Sequence, residues 1–225
     1  MPADFADRPV NYVSFWDAAR FANWLHNGQP TGAQDPGTTE SGAYHDVGNQ
    51  ALFGRNAGAR FFIPTEDEWY KAAYHGQAAG LAASYFNYPT GTNAVPGRDM
   101  TEATNSGNNA NYYLGGYLIG NPYYRTVAGE FELSDSPYGT FDQGGNVSEW
   151  NETAVVTSLS RGLRGGSFLT HLDLSDLLHA SLRSSTVPAN ESISVGFRVA
   201  SIPEPSTLCL GSMAMITLLL WRRRT

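Results

Sequence analysis

Asp142-Gln143-Gly144-Gly145-Asn146-Val147-Ser148-Glu149-Trp150 sets two carboxylates seven positions apart around a pair of glycines. Glycine permits the tight curl in which carbonyl and carboxylate oxygens converge, which is what a hard cation such as calcium requires. The bland alternative is a turn in which Asn146 satisfies its own backbone. Beyond this stretch lie two strand-like pieces, Gly162-Leu163-Arg164-Gly165-Gly166-Ser167-Phe168 and Val195-Gly196-Phe197-Arg198-Val199-Ala200. Ahead of it two helices can be placed, so the stretch sits where a helical half gives way to a strand-bearing one. The fold class is α+β, loop-rich, with two short helices, few strands and no internal repeat.

Ser14-Phe15-Trp16-Asp17 reads as a capping box, with Ser14 as N-cap and Asp17 reaching back. Phe15, Ala18, Ala19, Phe21, Ala22 and Leu25 then share a helical stripe, and Asn27-Gly28 stops it. Thr65 is the second N-cap, followed by Glu66, Asp67 and Glu68 in the first turn, where the helix dipole favours acids. Trp69, Ala72 and Ala73 are expected to face inward, and Gly76 to end that helix. Residues 28–60 and 77–145 are rich in Gly, Asn, Thr and Pro and read as mostly irregular.

The 225 residues carry 41% apolar and 12% aromatic side chains, enough for a packed core, which excludes wholesale disorder. With 14 basic against 21 acidic residues the net charge is −7, and Lys71 is the single lysine. Three of those bases, Arg222, Arg223 and Arg224, close the chain, so the body is more acidic still. Such a surface repels phosphate backbones and excludes nucleic acid as a partner. Cys209 is the only cysteine, so no intrachain disulfide, thiolate zinc site or iron–sulfur cluster can form.

From Ile202 the text changes: a Pro203-Glu204-Pro205 turn, an apolar run from Leu208 to Trp221, then the three arginines. As a helix the run rises about 21 Å, and snorkelling arginines bring it near spanning length. A C-terminal transmembrane helix is therefore expected, with the arginines in the cytoplasm and residues 1–201 outside. The order of these features resembles the PEP-CTERM sorting signal of Gram-negative, exopolysaccharide-producing bacteria. That resemblance implies the Sec machinery and an exosortase as partners, transient inner-membrane anchoring, cleavage near the PEP, and a destination at the cell surface or matrix. The opening MPADFADRPV has neither the basic start nor the apolar core of a signal peptide, so a preceding leader is expected. Residues 1–201 thus form one domain and 202–225 the sorting signal.

Asn11-Tyr12-Val13-Ser14, Phe62-Ile63-Pro64-Thr65-Glu66-Asp67-Glu68-Trp69, Gly145-Asn146-Val147-Ser148-Glu149-Trp150, Arg164-Gly165-Gly166-Ser167-Phe168 and Gly196-Phe197-Arg198-Val199 occur in that order. Together they resemble the formylglycine-generating-enzyme (sulfatase-modifying factor) family, whose fold is a variant of the C-type lectin fold. The resemblance implies a further N-terminal portion, with the first strands, ahead of residue 1. It also implies two copper(I)-binding cysteines, three and eight residues after the serine of Gly-Gly-Ser. Those positions hold Thr170 and Ser175, and hard hydroxyls do not hold copper(I). No copper and no formylglycine-generating oxidase activity are expected. A structural calcium is implied at Asp142, Gly145, Val147 and Glu149, with a second site beginning at Asn111.

The stretch from Phe168 to Arg183 is where the family builds its pocket. Trp150, Arg164, Ser167, Thr170, His171, Ser175 and Arg183 are accordingly the expected pocket residues, with Tyr112, Tyr113, Tyr117, Tyr123 and Tyr124 available to stack on sugars. His171 and His179 flank Asp173 and Asp176, ligand types that suit zinc or iron, although their spacing matches no metal motif and reads as a polar surface loop. The leading functional reading is a non-catalytic module binding exopolysaccharide or a surface protein. An enzyme using Ser167, His171, His179 or Arg183 in unrecognised chemistry stands second, and a structural matrix component third.

Overall fold

The computed structural model describes residues 5–76, 84–101, 107–155, 159–172 and 176–202. Helix α1 spans Phe15–His26 and α2 spans Glu66–Tyr74. Both open with the reciprocal capping box read from the sequence. Ser14 Oγ accepts from the Asp17 N–H at 3.1 Å, and Asp17 Oδ2 accepts from the Ser14 N–H at 3.0 Å. Thr65 and Glu68 repeat the exchange at 3.1 and 2.7 Å. Each such cap contributes about 1 kcal/mol to its helix.

Among the described residues there are eight strands, short apart from one. They are β1 (Tyr44–His45), β2 (Gly54–Arg55), β3 (Phe61–Phe62), β4 (Ser148–Val155), β5 (Ser160–Arg164), β6 (Ser184–Thr186), β7 (Val195–Phe197) and β8 (Ala200–Ser201). The central sheet runs β6-β5-β4-β7, with β4 antiparallel to β5 and parallel to β7. Antiparallel pairs β1-β2 and β3-β8 stand apart from it. In the β4-β7 register Glu149 lies opposite Gly196, which brings Arg198, two residues on, to the Glu149 carboxylate. A register shift between Trp150 and Ala154 lets the second half of β4 pair onward with Arg161 and Ser160 of β5.

The main core lies between α1, β3 and the central sheet. Phe15, Ala18, Ala19 and Ala22 of α1 meet Ile63, Trp150, Leu163 and Val195. Trp150 is wholly buried, packs edge-on to Phe15 at 6.0 Å, and donates its indole N–H to Val13 O at 3.0 Å. Phe21, expected on the buried stripe, is 41% exposed and packs instead against Trp24 and Phe197. In its place Asn23 is fully buried, donating to Thr39 O and accepting from the Tyr44 N–H at 2.7 Å, which pins β1 to α1. A buried amide is tolerable here because both ends of it are hydrogen-bonded.

Helix α2 ends at Tyr74, with the His75 N–H closing on Lys71 O, two residues before the expected stop at Gly76. The expected C-terminal membrane helix requires correction. Among the described residues α1, at 12 residues, is the longest helix, and none is long and apolar enough to cross a membrane. Twelve residues rise about 18 Å, against a hydrocarbon core of about 30 Å. The stretch on which that expectation fell, residues 203–225, lies outside the described residues. The described fold is α+β with two short helices.

Candidate functional site

Three assemblies of side chains stand around the central sheet. The first is the loop that leads into β4. Asp142, Gly145 and Asn146 have φ of +56°, +78° and +61°, so the chain curls left-handed three times in five residues. Only one of the three is glycine, and Asp and Asn are the other residue types that accept this region. The curl brings Asp142, Asn146, Val147, Glu149 and Arg198 onto one cleft of about 410 Å³.

Asp142 Oδ2 accepts from the Gly129 N–H at 2.6 Å. Burial raises the Asp142 pKa above the usual carboxylate range, against the opposing pull of the Gly129 N–H and the Arg198 charge, and the Glu149 charge adds to the rise. Glu149 is 4% exposed and fully engaged. Its Oε2 accepts from the Trp69 indole N–H at 2.6 Å and from Arg198 Nε, and its Oε1 accepts from Arg198 Nη2 at 2.6 Å. Burial works to loosen the Arg198 proton, but the Glu149 charge and hydrogen bonds override it and raise the Arg198 pKa.

This donor set fits calcium in kind, being carboxylate and carbonyl oxygens only, and Asp142, Val147 and Glu149 share the cleft. It fits less well in charge, because Arg198 already neutralises Glu149. Among the described residues no group of three or more His, Cys, Asp or Glu side chains is placed to hold a metal ion. A cation here would lean on Asp142 and on backbone carbonyls. Asn111, the expected start of a second site, is 1% exposed and lies alongside Gly145. Its Nδ2 donates to Tyr124 O and to Asn146 Oδ1, while its Oδ1 is buried without a partner among the described residues. An orphaned buried acceptor of this kind is what a cation or a trapped water would satisfy.

The second assembly is the turn after β5. Thr170 N–H donates to Ser167 O at 2.8 Å, and the Ser167 N–H donates back to Thr170 Oγ1 at 2.9 Å. The Thr170 hydroxyl is therefore committed to closing the turn. Ser167, Thr170 and His171 line an open cleft of about 310 Å³ with Ser148, Ser184 and Ser194. Leu163, Leu169, Leu177 and Val195 supply its apolar surface. Its polar groups are hydroxyls and one imidazole, with no acid among the described lining residues. His171 stacks on Tyr113 at 4.2 Å between ring centroids.

The other expected pocket residues go elsewhere. Trp150 belongs to the core. Arg164 is 9% exposed and bonds Glu66 Oε1 at 2.8 Å and the carbonyls of Ala180 and Leu182. Arg183, half exposed, pairs with the second oxygen of Glu66 at 3.1 Å. These three form the third assembly, a structural ion cluster at the start of α2. Ser175 and Asp173 lie outside the described residues. His179 bonds Ser181 Oγ at 2.8 Å and Asp176 accepts from Tyr88 OH at 2.5 Å, so among the described residues His171, His179 and Asp176 form no metal-holding group.

In the tyrosine-rich loop, Tyr112 serves packing, while Tyr123 and Tyr124 line a separate cleft. Tyr112 is 3% exposed with its hydroxyl on Pro96 O, and Tyr117 sits edge-on to Tyr113, Tyr124 and Phe168. Sequence reasoning missed Trp69 and Arg198 as the partners of Glu149. Their signal was present, since both sit in motifs quoted above, but a motif does not say which side chains meet.

Compared with known proteins, residues 2–202 match the family described as the sulfatase-modifying factor enzyme 1-like domain, and residues 201–224 match the PEP-CTERM protein-sorting motif. The formylglycine-generating enzyme of Streptomyces coelicolor is 29% identical over 214 residues, covering 83% of this chain. The chain spans 60% of the length of that relative. Among solved structures, Treponema denticola variable protein 1 is similar with a TM-score of 0.57 and 22% identity, over 88% of this chain and 72% of that one. CarF gives 0.57 and 24% over 90% and 70%, and PvdO from Pseudomonas aeruginosa gives 0.52 and 18% over 88% and 63%. These likenesses are of fold. The sorting motif implies exosortase-mediated sorting toward the cell envelope. With its match running over nearly all of residues 1–202, the chain belongs to the sulfatase-modifying factor enzyme 1-like domain family.

Proposed function

We propose that this chain is a non-catalytic ligand-binding module of its family, delivered to the cell surface or matrix, whose ligand is a neutral, hydroxyl-rich polysaccharide. The observation that supports this is the cleft after β5. Where the family resemblance calls for a thiol stands Thr170, whose Oγ1 accepts from the Ser167 N–H, and a hydroxyl there is not a soft ligand. What does face the cleft, among the described residues, is a ring of hydroxyls and the His171 imidazole with leucine between them and no carboxylate. Such a surface exchanges hydrogen bonds with sugar hydroxyls and covers a sugar's apolar face. Export through the Sec machinery, ahead of exosortase sorting, belongs to the same proposal.

With copper(I) and oxygen supplied, the full chain is expected to yield no aldehyde from a cysteine-containing sulfatase peptide above a no-protein control, read by mass spectrometry. The same chain should retain neutral exopolysaccharide, and His171→Ala should weaken that retention about fivefold, the worth of one hydrogen bond. An aldehyde product would replace this reading with an enzymatic one.

Calcium held chiefly by Asp142 and the carbonyls of Gly145 and Val147, beside the Arg198-paired Glu149, completes the proposal. It would hold the loop to β4 and supply no chemistry to the cleft. At a hundred times its Kd such an ion stabilises the native state by about 2.7 kcal/mol. For a domain of this size that raises Tm by about 5–10 °C over a chelator control. Asp142→Asn keeps an acceptor for the Gly129 N–H but removes the charge, and should erase most of the difference. Equal melting of the unmutated chain in calcium and in chelator would remove the ion from the proposal.

A further inference from the structure

A further cleft, about 500 Å³, lies between the N-terminal segment and the loop around residue 123, with Pro9 as its shared border with the Asp142 cleft. Its lining includes two arginines, Arg8 and Arg125, and no acid among the described residues, in a chain whose net charge is −7. Both guanidiniums are held before any ligand arrives. Arg125 is 6% exposed, and its Nη1 donates to Pro9 O at 2.6 Å while its Nε reaches Tyr123 O at 3.4 Å. Arg8 lies over the Tyr123 ring, 4.6 Å from the centroid, and donates to Arg125 O. Burial, and after it the like charge of Arg8, lowers the Arg125 pKa. The two cations are thus close enough to repel, with carbonyl oxygens as the acceptors that hold Arg125.

The rest of the wall is aromatic. Phe5, Tyr12, Tyr123 and Tyr124 line it, with Phe5 and Tyr123 in contact at 4.9 Å. Tyr12 and Tyr124 both have φ of +55°, and no other aromatic residue among the described ones has a positive φ. The remaining non-glycine cases are Asn, Asp and Gln, two of which are the types that tolerate this region readily. Two bulky side chains held in a disfavoured conformation on one cleft are a feature that clusters at ligand sites. Tyr12 is 57% exposed, so its ring presents a free face.

The geometry points to this cleft as a second binding site, which takes a single carboxylate-bearing sugar, a uronate unit of an acidic glycan. A guanidinium fork matches a planar carboxylate, aromatic faces match the C–H face of a pyranose, and the Asn11 and Asn121 side chains suit its hydroxyls. One unit is favoured over a long run because the acidic body of the chain repels an extended polyanion. The site is independent of the hydroxyl-lined cleft proposed above.

The test is calorimetric titration of the full chain with a galacturonate trisaccharide, a galacturonate polymer, the corresponding neutral galactose trisaccharide, a sulfated galactose trisaccharide and a peptide with a free C-terminal carboxylate. The galacturonate trisaccharide should bind, and the polymer no more than about threefold tighter per site. Arg125→Gln and Arg8→Gln should each weaken binding about tenfold or more, the worth of a charge-assisted hydrogen bond. Because Arg125 is buried, Tyr12→Asn serves as a second variant. It suits the positive φ and removes only the ring, and should weaken binding by about fivefold with Tm unchanged. His171→Ala should leave this binding unaltered, which separates the two sites. Absence of galacturonate binding, equal binding of the neutral or sulfated sugar, binding of the peptide alone, or unchanged affinity in Tyr12→Asn and Arg8→Gln would overturn the assignment.

Discussion

Glu66→Ala is expected to destabilise the protein by about 3–5 kcal/mol, among the larger losses any single side chain here can produce. Glu66 and Arg164 are 7% and 9% exposed, and their charges meet at 2.6 Å. Truncating the acid strands a buried guanidinium, whose desolvation is then uncompensated. The loss also spreads, because Arg164 Nη1 holds the carbonyls of Ala180 and Leu182 and so ties the segment behind the hydroxyl-lined cleft to α2. Replacing both partners with Met should recover only the part due to the stranded charge, since the Ala180 and Leu182 carbonyls then lose their donor. Arg183→Gln should cost less than about 1 kcal/mol, because that arginine's side chain is 55% exposed and screened. Urea unfolding midpoints at constant slope report all three. A Glu66→Ala loss under about 1 kcal/mol would show that the cluster is not a buried ion pair in solution.

That cluster also marks where the sequence stops being legible. Glu66 sits in the first turn of α2, and the sequence alone offers a sufficient reason for an acid there, the helix dipole. Arg164 follows a strand-like run and is absorbed into a Gly-Gly-Ser motif. Nothing local says that residues 98 positions apart share a charge. The features that did read correctly are those whose physics is local. Ser14 and Thr65 needed only a partner three residues away, and both capping boxes formed as read. Strand β4 is the opposite case. Ser148-Glu149-Trp150-Asn151-Glu152-Thr153 shows no clean alternation, because Glu149, Trp150 and Asn151 are all buried in succession. A central strand whose glutamates are satisfied by distant partners, Trp69, Arg198 and Arg55, has lost the period by which strands are recognised. The paired strands β1-β2 and β3-β8 were missed for a simpler reason, being two residues each and too short to show any period.

The candidate site divides along the same line. Ser167, Thr170 and His171 converge because one tight turn places them, and a turn is a local object. Arg164 and Trp150, adjacent to the same motifs, were assigned to the pocket by proximity in sequence. A strand sends successive side chains to opposite faces, so a motif that crosses a strand end cannot place all its residues on one wall.

Gly145→Ala is the second large effect, expected to cost more than about 4 kcal/mol or to prevent folding. Two penalties combine. With φ of +78° an alanine pays the left-handed penalty of about 1–2 kcal/mol. Its Cβ would also stand 2.3 Å from Asn111 O and 2.9 Å from Asn111 C, which are backbone atoms with nowhere to rotate. Asn111 O is the acceptor of the Asn146 N–H at 2.8 Å, so the intruding methyl pushes on the very bond that joins the two segments. Asn146 Oδ1 in turn receives the Thr126 N–H at 2.9 Å, and displacement of Asn111 would loosen that contact too. Gly139→Ala separates the two penalties. Its φ is +72°, almost the same, but nothing lies within 4 Å of its Cβ. That variant should cost only the conformational part, about 1–2 kcal/mol. Equal losses for the two variants would mean that the close approach of Asn111 to Gly145 does not exist in solution. A large excess for Gly145→Ala, with the calcium-dependent change in Tm lost at the same time, would show that this contact sets the curl on which Asp142 and Glu149 are mounted.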